Sequence, residues 1–302
     1  MKNRFGNRKG SILVIVTLML TAMLGAVALV TDVGMAYLKK QQLNNAVDSA
    51  ALAGAQVLRR SQAEALDKAF QYAQLNGFDT QDVAISFPNS HTISVEGKKR
   101  VDFIFARVLG HGGADVNARA KAIIAPISGV RGVKPFVVER FDFEYGVEYV
   151  LKEGADESYI GNFGAVALGS TGADTFRDNL KYSYAGIIRV NDWIKTETGN
   201  VVGPSKDGVD YIMAQCNHTP QCSIESYVPN CERVITIPMV NTLQVNGSSE
   251  VQVVGFAQFL LSGISNEGGH SNVRGCFLRT VISGEIDPNA PDFGVYSIKL
   301  VQ

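Results

Sequence analysis

Apolar positions are distributed very unevenly along this chain. Nineteen residues without a charge, Ile12 to Val30, form one continuous apolar run. As a helix, such a run rises roughly 28 Å, close to the roughly 30 Å hydrocarbon core of a bilayer. After a one-turn transition at Thr31-Asp32-Val33-Gly34, a second helical pattern continues to about Arg60. There Leu43, Val47, Ala50, Ala51, Gly54, Val57 and Leu58 recur at three- and four-residue steps, marking one apolar face. A further helix is predicted from Gln62 to Asn76. Ser61 and Glu64 are spaced as a capping box at its start, and Gly77 sits where helices commonly end.

Alternating patterns then replace the helical ones. Val83–Phe87, Thr92–Glu96, Arg100–Phe105 and Val116–Ile124 read as strands, with a turn expected around Gly97-Lys98. A long helix packed on a small antiparallel sheet follows, because each element has one apolar face to cover. Pro126 to Pro135, with Gly129 and Gly132, reads as a linker. Beyond it lie short β patterns at Phe136–Glu139, Gly186–Val190, Arg233–Ile237, Glu250–Ala257, Gly275–Ile282 and Gly294–Val301, which predict an all-β or mainly β unit. The expected fold is α+β and membrane-anchored: a long N-terminal helix with a small antiparallel sheet, then a mainly β exported domain. The boundaries are a basic segment 1–10, a transmembrane helix 11–31, a helical and αβ region 32–128, and a β-rich domain 129–302.

Charge sets the expected orientation. Lys2, Arg4, Arg8 and Lys9 precede the span, whereas its far flank begins with Asp32. The positive-inside rule puts the N-terminus in the cytoplasm and the bulk of the chain outside. A cleaved signal peptide is the alternative, with Ala26-Val27-Ala28 as a small-x-small site. The run is longer than the usual h-region, however, and the helical pattern continues past that site. Small residues four apart, Thr21 with Gly25, Ala22 with Ala26, and the row Ala46, Ala50, Gly54, offer a helix-packing face for self-association or a partner. The formal net charge of −1 argues against an electrostatic nucleic-acid binder.

Candidate chemistry is sparse. Cys216, Cys222, Cys231 and Cys276 are even in number and fall in the exported half, so they are disulfide candidates; three pairings are open to them, of which a Cys216–Cys222 bridge closes a short loop and leaves Cys231 with Cys276. A zinc site of three cysteines with His218 is the rival, disfavoured because it lacks a CxxC pair. Gly164–Thr171 is a near miss for a phosphate loop, without its lysine, and Gly263-Ile-Ser265-Asn-Glu267 lacks the closing glycine of a hydrolase elbow. Asp287–Asp292 reads as a turn rather than a calcium loop. Trp193 reads as a core or edge residue rather than a carbohydrate platform. No catalytic residue, metal or cofactor is expected.

Arg8-Lys-Gly-Ser-Ile-Leu-Val-Ile-Val16, Gly25-Ala-Val-Ala-Leu-Val-Thr-Asp-Val-Gly34 and Gln42-Leu-Asn-Asn-Ala-Val-Asp-Ser-Ala-Ala-Leu-Ala-Gly54 together resemble the TadE/TadG-like proteins of tight-adherence (Flp) pilus assembly. The resemblance continues through Val108-Leu-Gly110 and Val116–Ala122. It implies a pilin-like anchor helix carrying an exported domain, with the lipid bilayer and pilus-assembly membrane proteins, or a second copy, as partners. Two departures shape the expectation. Processed relatives carry a glutamate five residues after the cleavage glycine, but if Gly10 is that glycine the position holds Ile15. The DxSxS metal motif of longer relatives is absent. The sequence therefore predicts a non-enzymatic single-pass envelope protein; the alternative is a membrane-anchored cell-surface enzyme or ligand-binding protein.

Overall fold

A computed structural model of the chain describes residues 9–153, 162–197, 201–243, 249–267 and 270–301. The chain divides into two compact units, Met1–Ile123 with Lys299–Gln302, and Ile124–Ile298. The α+β class expected from the sequence is what forms: a long N-terminal helix, then a mainly β domain.

The first unit is organised by α1 (Lys9–Leu58), about 75 Å of uninterrupted helix. The expected transition at Thr31–Gly34 does not occur. Aspartate usually disfavours helix interiors because its carboxylate competes for nearby backbone N–H groups. Here the Asp32 carboxylate is engaged by a distant loop instead. Helix α2 (Gln62–Leu75) starts where Ser61 accepts a hydrogen bond from the Glu64 N–H at 3.3 Å and ends before Gly77, whose φ of 81° needs no Cβ. Strands β1 (Val83–Asn89), β2 (Thr92–Asp102) and β3 (Gly113–Val133) form an antiparallel meander.

Helices α1 and α2 cover this meander. Leu43, Ala46, Val47, Ala50 and Ala51 of α1, Ala65, Ala69 and Ala73 of α2, and Ile93 and Val95 of β2 are all buried. Two expectations fail here. The turn at Gly97-Lys98 is absent and β2 runs straight through, because α1 packs directly on Gly97. A Cβ there would lie 2.7 Å from a Leu43 methyl and 2.9 Å from one of Val47. Residues 126–133 likewise belong to β3 rather than to a linker. Pro126 gives up no needed donor, and its carbonyl accepts the Asp287 N–H.

The second unit is built on β4 (Phe136–Glu139), β5 (Glu148–Glu153), β6 (Asn162–Ala167), α3 (Ala173–Tyr182), β7 (Tyr184–Arg189), β8 (Trp193–Thr196), α4 (Val202–Ala214), β9 (Val234–Val240), β10 (Glu250–Glu267), β11 (His270–Leu278), β12 (Thr280–Val281), β13 (Glu285–Ile286) and β14 (Val295–Val301). Six of these strands close on themselves in the order β4-β9-β10-β11-β5-β6, returning to β4. The β4–β9 and β5–β6 pairs are parallel and the other four antiparallel. A barrel this narrow is filled by side chains. Phe136, Val138, Leu151, Phe163, Ile235, Ile237, Phe259 and Val273 point into it.

Helices α3 and α4 add to the mainly β expectation. Phe176 and Leu180, one turn apart, are the two buried anchors of α3. Gly208 lets α4 approach α3, since a Cβ there would meet Leu180 at 2.4 Å.

One buried charge sits beside β4. Lys134 is 3 % exposed and donates from Nζ to the Lys181 carbonyl at 3.1 Å. Burial pulls its ammonium from the ordinary 10.5 down to about 8, with Glu232 partly opposing. The unfolded chain therefore holds the extra proton between about pH 8 and 10.5, so stability rises with pH across that window and sits on its lower plateau below it. Lys134→Met is expected to stabilise the second unit by about 1–3 kcal/mol at pH 7 and to flatten that rise, as measured by urea unfolding.

Candidate functional site

The N-terminal half of α1 presents an apolar surface that none of the described residues covers. From Ile12 to Val30 its large side chains are roughly half exposed or more. Three hydroxyls interrupt this stretch and its end. Thr17, Thr21 and Thr31 each donate to the carbonyl four residues earlier, at 2.9, 2.9 and 2.8 Å. Their polar hydrogens are thus satisfied inside the helix, as a lipid environment requires. Lys2, Arg4 and Arg8 lie outside the described residues. Lys9 opens α1, and its side chain is likewise outside them.

The two small-residue faces have different fates. Ala46 and Ala50 are fully buried, and a Cβ at Gly54 would meet Ile93 at 2.5 Å, the Ala65 carbonyl at 3.0 Å and Ala69 at 3.2 Å. That face is therefore filled by the chain's own α2 and β2, not left for another molecule. Thr21, Ala22, Gly25 and Ala26 are exposed, with nothing within 4 Å of a Cβ at Gly25. Any association through small residues falls to this upper row.

Just past the apolar span, Asp32 is 1 % exposed and accepts three backbone hydrogen bonds, from Ile104 at 2.9 Å, Phe105 at 3.0 Å and Ala106 at 2.6 Å. These N–H groups open a short 3-10 turn, Ala106–Leu109, whose unpaired donors the carboxylate caps. Burial acts to raise the carboxyl's pKa, but the Ala106, Ile104 and Phe105 N–H groups outweigh it, and the net shift is downward. The contact holds Ile104, Phe105 and Val108 beside the end of the span, with Val108 88 % exposed.

Asp32→Ala is expected to release this loop, with hydrogen exchange of the Ile104, Phe105 and Ala106 amides rising on the order of tenfold or more. Because the folded pKa is depressed, the wild-type protection is complete above the ordinary 3.8 and is lost as pH falls through the folded value. The Asp32-Val-Gly34 step was conspicuous in the sequence; its cap on a loop some seventy residues away was not, because alternation carries no register between an aspartate and a distant turn.

The four cysteines are brought together on the outside of the barrel. Cys216, Cys222, Cys231 and Cys276 are buried with Leu260 and Leu278, and no pair of them is bridged. Cys216, His218, Cys222 and Cys231 form the tighter group, with their ligand atoms all within 4.8 Å of one another. His218 Nδ1 lies 3.7 Å from Cys216 Sγ and 3.5 Å from Cys222 Sγ.

Other candidates resolve into plain structure. Residues 164–167 belong to β6, and their backbone groups pair with β4 and β8 rather than cradling an anion. Residues 263–267 run along β10. Asp287 accepts the Asn289 N–H, and Asp292 takes the Gly294 N–H and the Tyr296 hydroxyl, so both carboxylates serve turns. Trp193 is 58 % exposed, on the wall of an open groove of about 630 Å³ with Tyr184, Asp192 and Lys195.

Among known families, residues 10–57 match the model described as "Putative Flp pilus-assembly TadE/G-like". The match bears out the expected resemblance, and it spans almost all of α1. No curated protein and no solved structure matches the chain.

Proposed function

We propose, from the TadE/G-like match of residues 10–57, that this chain is a non-enzymatic, single-pass envelope protein of a Flp/Tad-type pilus-assembly system. Its N-terminus lies in the cytoplasm and everything after α1's apolar half lies beyond the membrane. One observation carries the reading: the matched helix is apolar and uncovered by the described residues over its first half, and packed on one face by the chain's own α2 and β2 over its second. An apolar, uncovered first half is what a helix resting in lipid presents. Ile15, at the position where processed relatives carry glutamate, agrees with retention.

The loop capped by Asp32 extends this reading. A span ending near Val30 puts Asp32 at the headgroup level, so Ile104, Phe105 and Val108 rest in the interface as an apolar foot. Partners in the membrane are reached through the exposed Thr21, Ala22, Gly25 and Ala26 row.

In-cell photocrosslinking from position 22 or 25 tests the assignment. A discrete adduct with a polytopic pilus-assembly protein, together with loss of surface pili in a deletion strain that still makes pilin, is expected. Normal piliation in the deletion strain sinks it. The rival reading, a surface-anchored ligand-binding protein, draws on the groove beside Trp193. It gains ground if the deletion strain is piliated and the purified chain binds a glycan in a Trp193-dependent way.

A further inference from the structure

The connection from α4 to β9, residues 215–233, runs 19 residues without helix or strand. Loops beyond about 12–15 residues without structure of their own are uncommon in a compact domain, and they usually serve a function or are disordered. This one holds three buried cysteines, Cys216, Cys222 and Cys231. We propose that Cys216, His218, Cys222 and Cys231 form a tetrahedral site for one zinc ion that closes this loop on itself.

The distances support a metal over a bridge. Zn–S of about 2.3 Å and Zn–N of about 2.05 Å at a tetrahedral angle set S···N edges of about 3.6 Å. The two S···N distances, 3.7 and 3.5 Å, straddle that value. The remaining ligand atoms fall within the same 4.8 Å. A disulfide would need two sulfurs at about 2.05 Å and would leave the third thiol and the imidazole unused. The set is one nitrogen and three sulfurs, a standard closed structural zinc donor set. The absence of a CxxC pair is no obstacle, because the loop folds back to deliver ligands from Cys216-x-His218, Cys222 and Cys231 rather than from a knuckle.

The surroundings fit the charge. Zinc displaces three thiol protons, and three thiolates with one Zn²⁺ leave the site at −1. Arg233, itself 6 % exposed, stands two residues from Cys231. It donates from its guanidinium to the Cys222 carbonyl at 2.7 Å and the Leu261 carbonyl at 2.8 Å. A buried cation beside a site of net −1 compensates it. The Val228 N–H points at Cys222 Sγ at 3.4 Å, an outer hydrogen bond of the kind that orients thiolate ligands. Cys276 lies in the same apolar cluster but outside the four.

The test is metal and thiol analysis of the full-length chain purified in detergent without added reductant or chelator. About one zinc per chain is expected, with all four cysteines alkylated after denaturation in chelator. His218→Gln and Cys231→Ser should each lose most of the zinc, whereas Cys276→Ser keeps it. Should Cys231→Ser not fold, His218→Gln, altering a half-exposed ring, still decides. Cobalt added to the chelated wild type should give the intense visible bands of a tetrahedral thiolate site. A metal-free protein carrying one or two disulfides overturns the proposal. So does zinc that survives His218→Gln but not Cys276→Ser.

Discussion

Gly54→Leu should detach α2 and the sheet from α1, destabilising the first unit by about 3 kcal/mol or more. The seam at this point has no spare room. Even an alanine Cβ would meet the Ile93 methyl at 2.5 Å, but that is the movable end of a side chain. Leucine must also displace the Ala65 carbonyl and the Ala69 methyl, 3.0 and 3.2 Å from the Cβ position, and both belong to the backbone-fixed face of α2. Gly54→Ala is therefore expected to cost only about 1 kcal/mol. Gly25→Leu, in open space, should leave the unit's stability unchanged. Denaturant unfolding in detergent separates the three. The contrast matters for function: Ala46, Ala50 and Gly54 act within the molecule, and a piliation defect from Gly54→Leu with a normal unfolding curve would put them back at an intermolecular interface.

Gly275→Val should open the barrel, at a cost of about 4 kcal/mol or more. Gly275 faces Leu261 across the β10–β11 pair, next to a bulge in β10. A Cβ there would lie 2.1 Å from the Leu260 carbonyl and 2.5 Å from the Phe259 ring. Neither can give way, since the carbonyl is part of the strand and Phe259 is 1 % exposed inside the barrel. Loss of the second unit's cooperative unfolding transition, with aggregation on expression, is the expected outcome. Gly203→Ala on α4, where nothing lies within 4 Å, serves as the neutral control. A Gly275→Val protein with the wild-type unfolding midpoint would refute the barrel's register.

Where the sequence was legible, one period dominated. The anchor run, the Leu43–Leu58 face, the Ser61-capped α2 and β4 follow directly from spacing, and the structure places them there. Errors arose where a glycine or proline was read as punctuation. Gly97 and Pro126 sit inside strands because another element approaches one and a neighbouring N–H bonds the other. The helices of the second unit were hidden because α3 buries only Phe176 and Leu180, and α4 buries Pro204, Ser205 and Gly208 among its contacts. Barrel closure was out of reach for a broader reason: parallel pairs such as β4 with β9 join residues about a hundred apart, and nothing local encodes that partner. The cysteines and His218 are visible in the sequence as rival disulfide and zinc sets, but only the folded loop gathers Cys216, His218, Cys222 and Cys231 within 4.8 Å of one another.

In the proposed function, α1 stays in the membrane as an anchor. Intact mass of the protein extracted from membranes, measured beside the sheared surface fraction, tests this most directly. A retained anchor gives the uncleaved N-terminal segment on a protein that only detergent releases, and none in the pili. A chain beginning after Gly10 or after Ala28, or its presence as a subunit of sheared fibres, would contradict it.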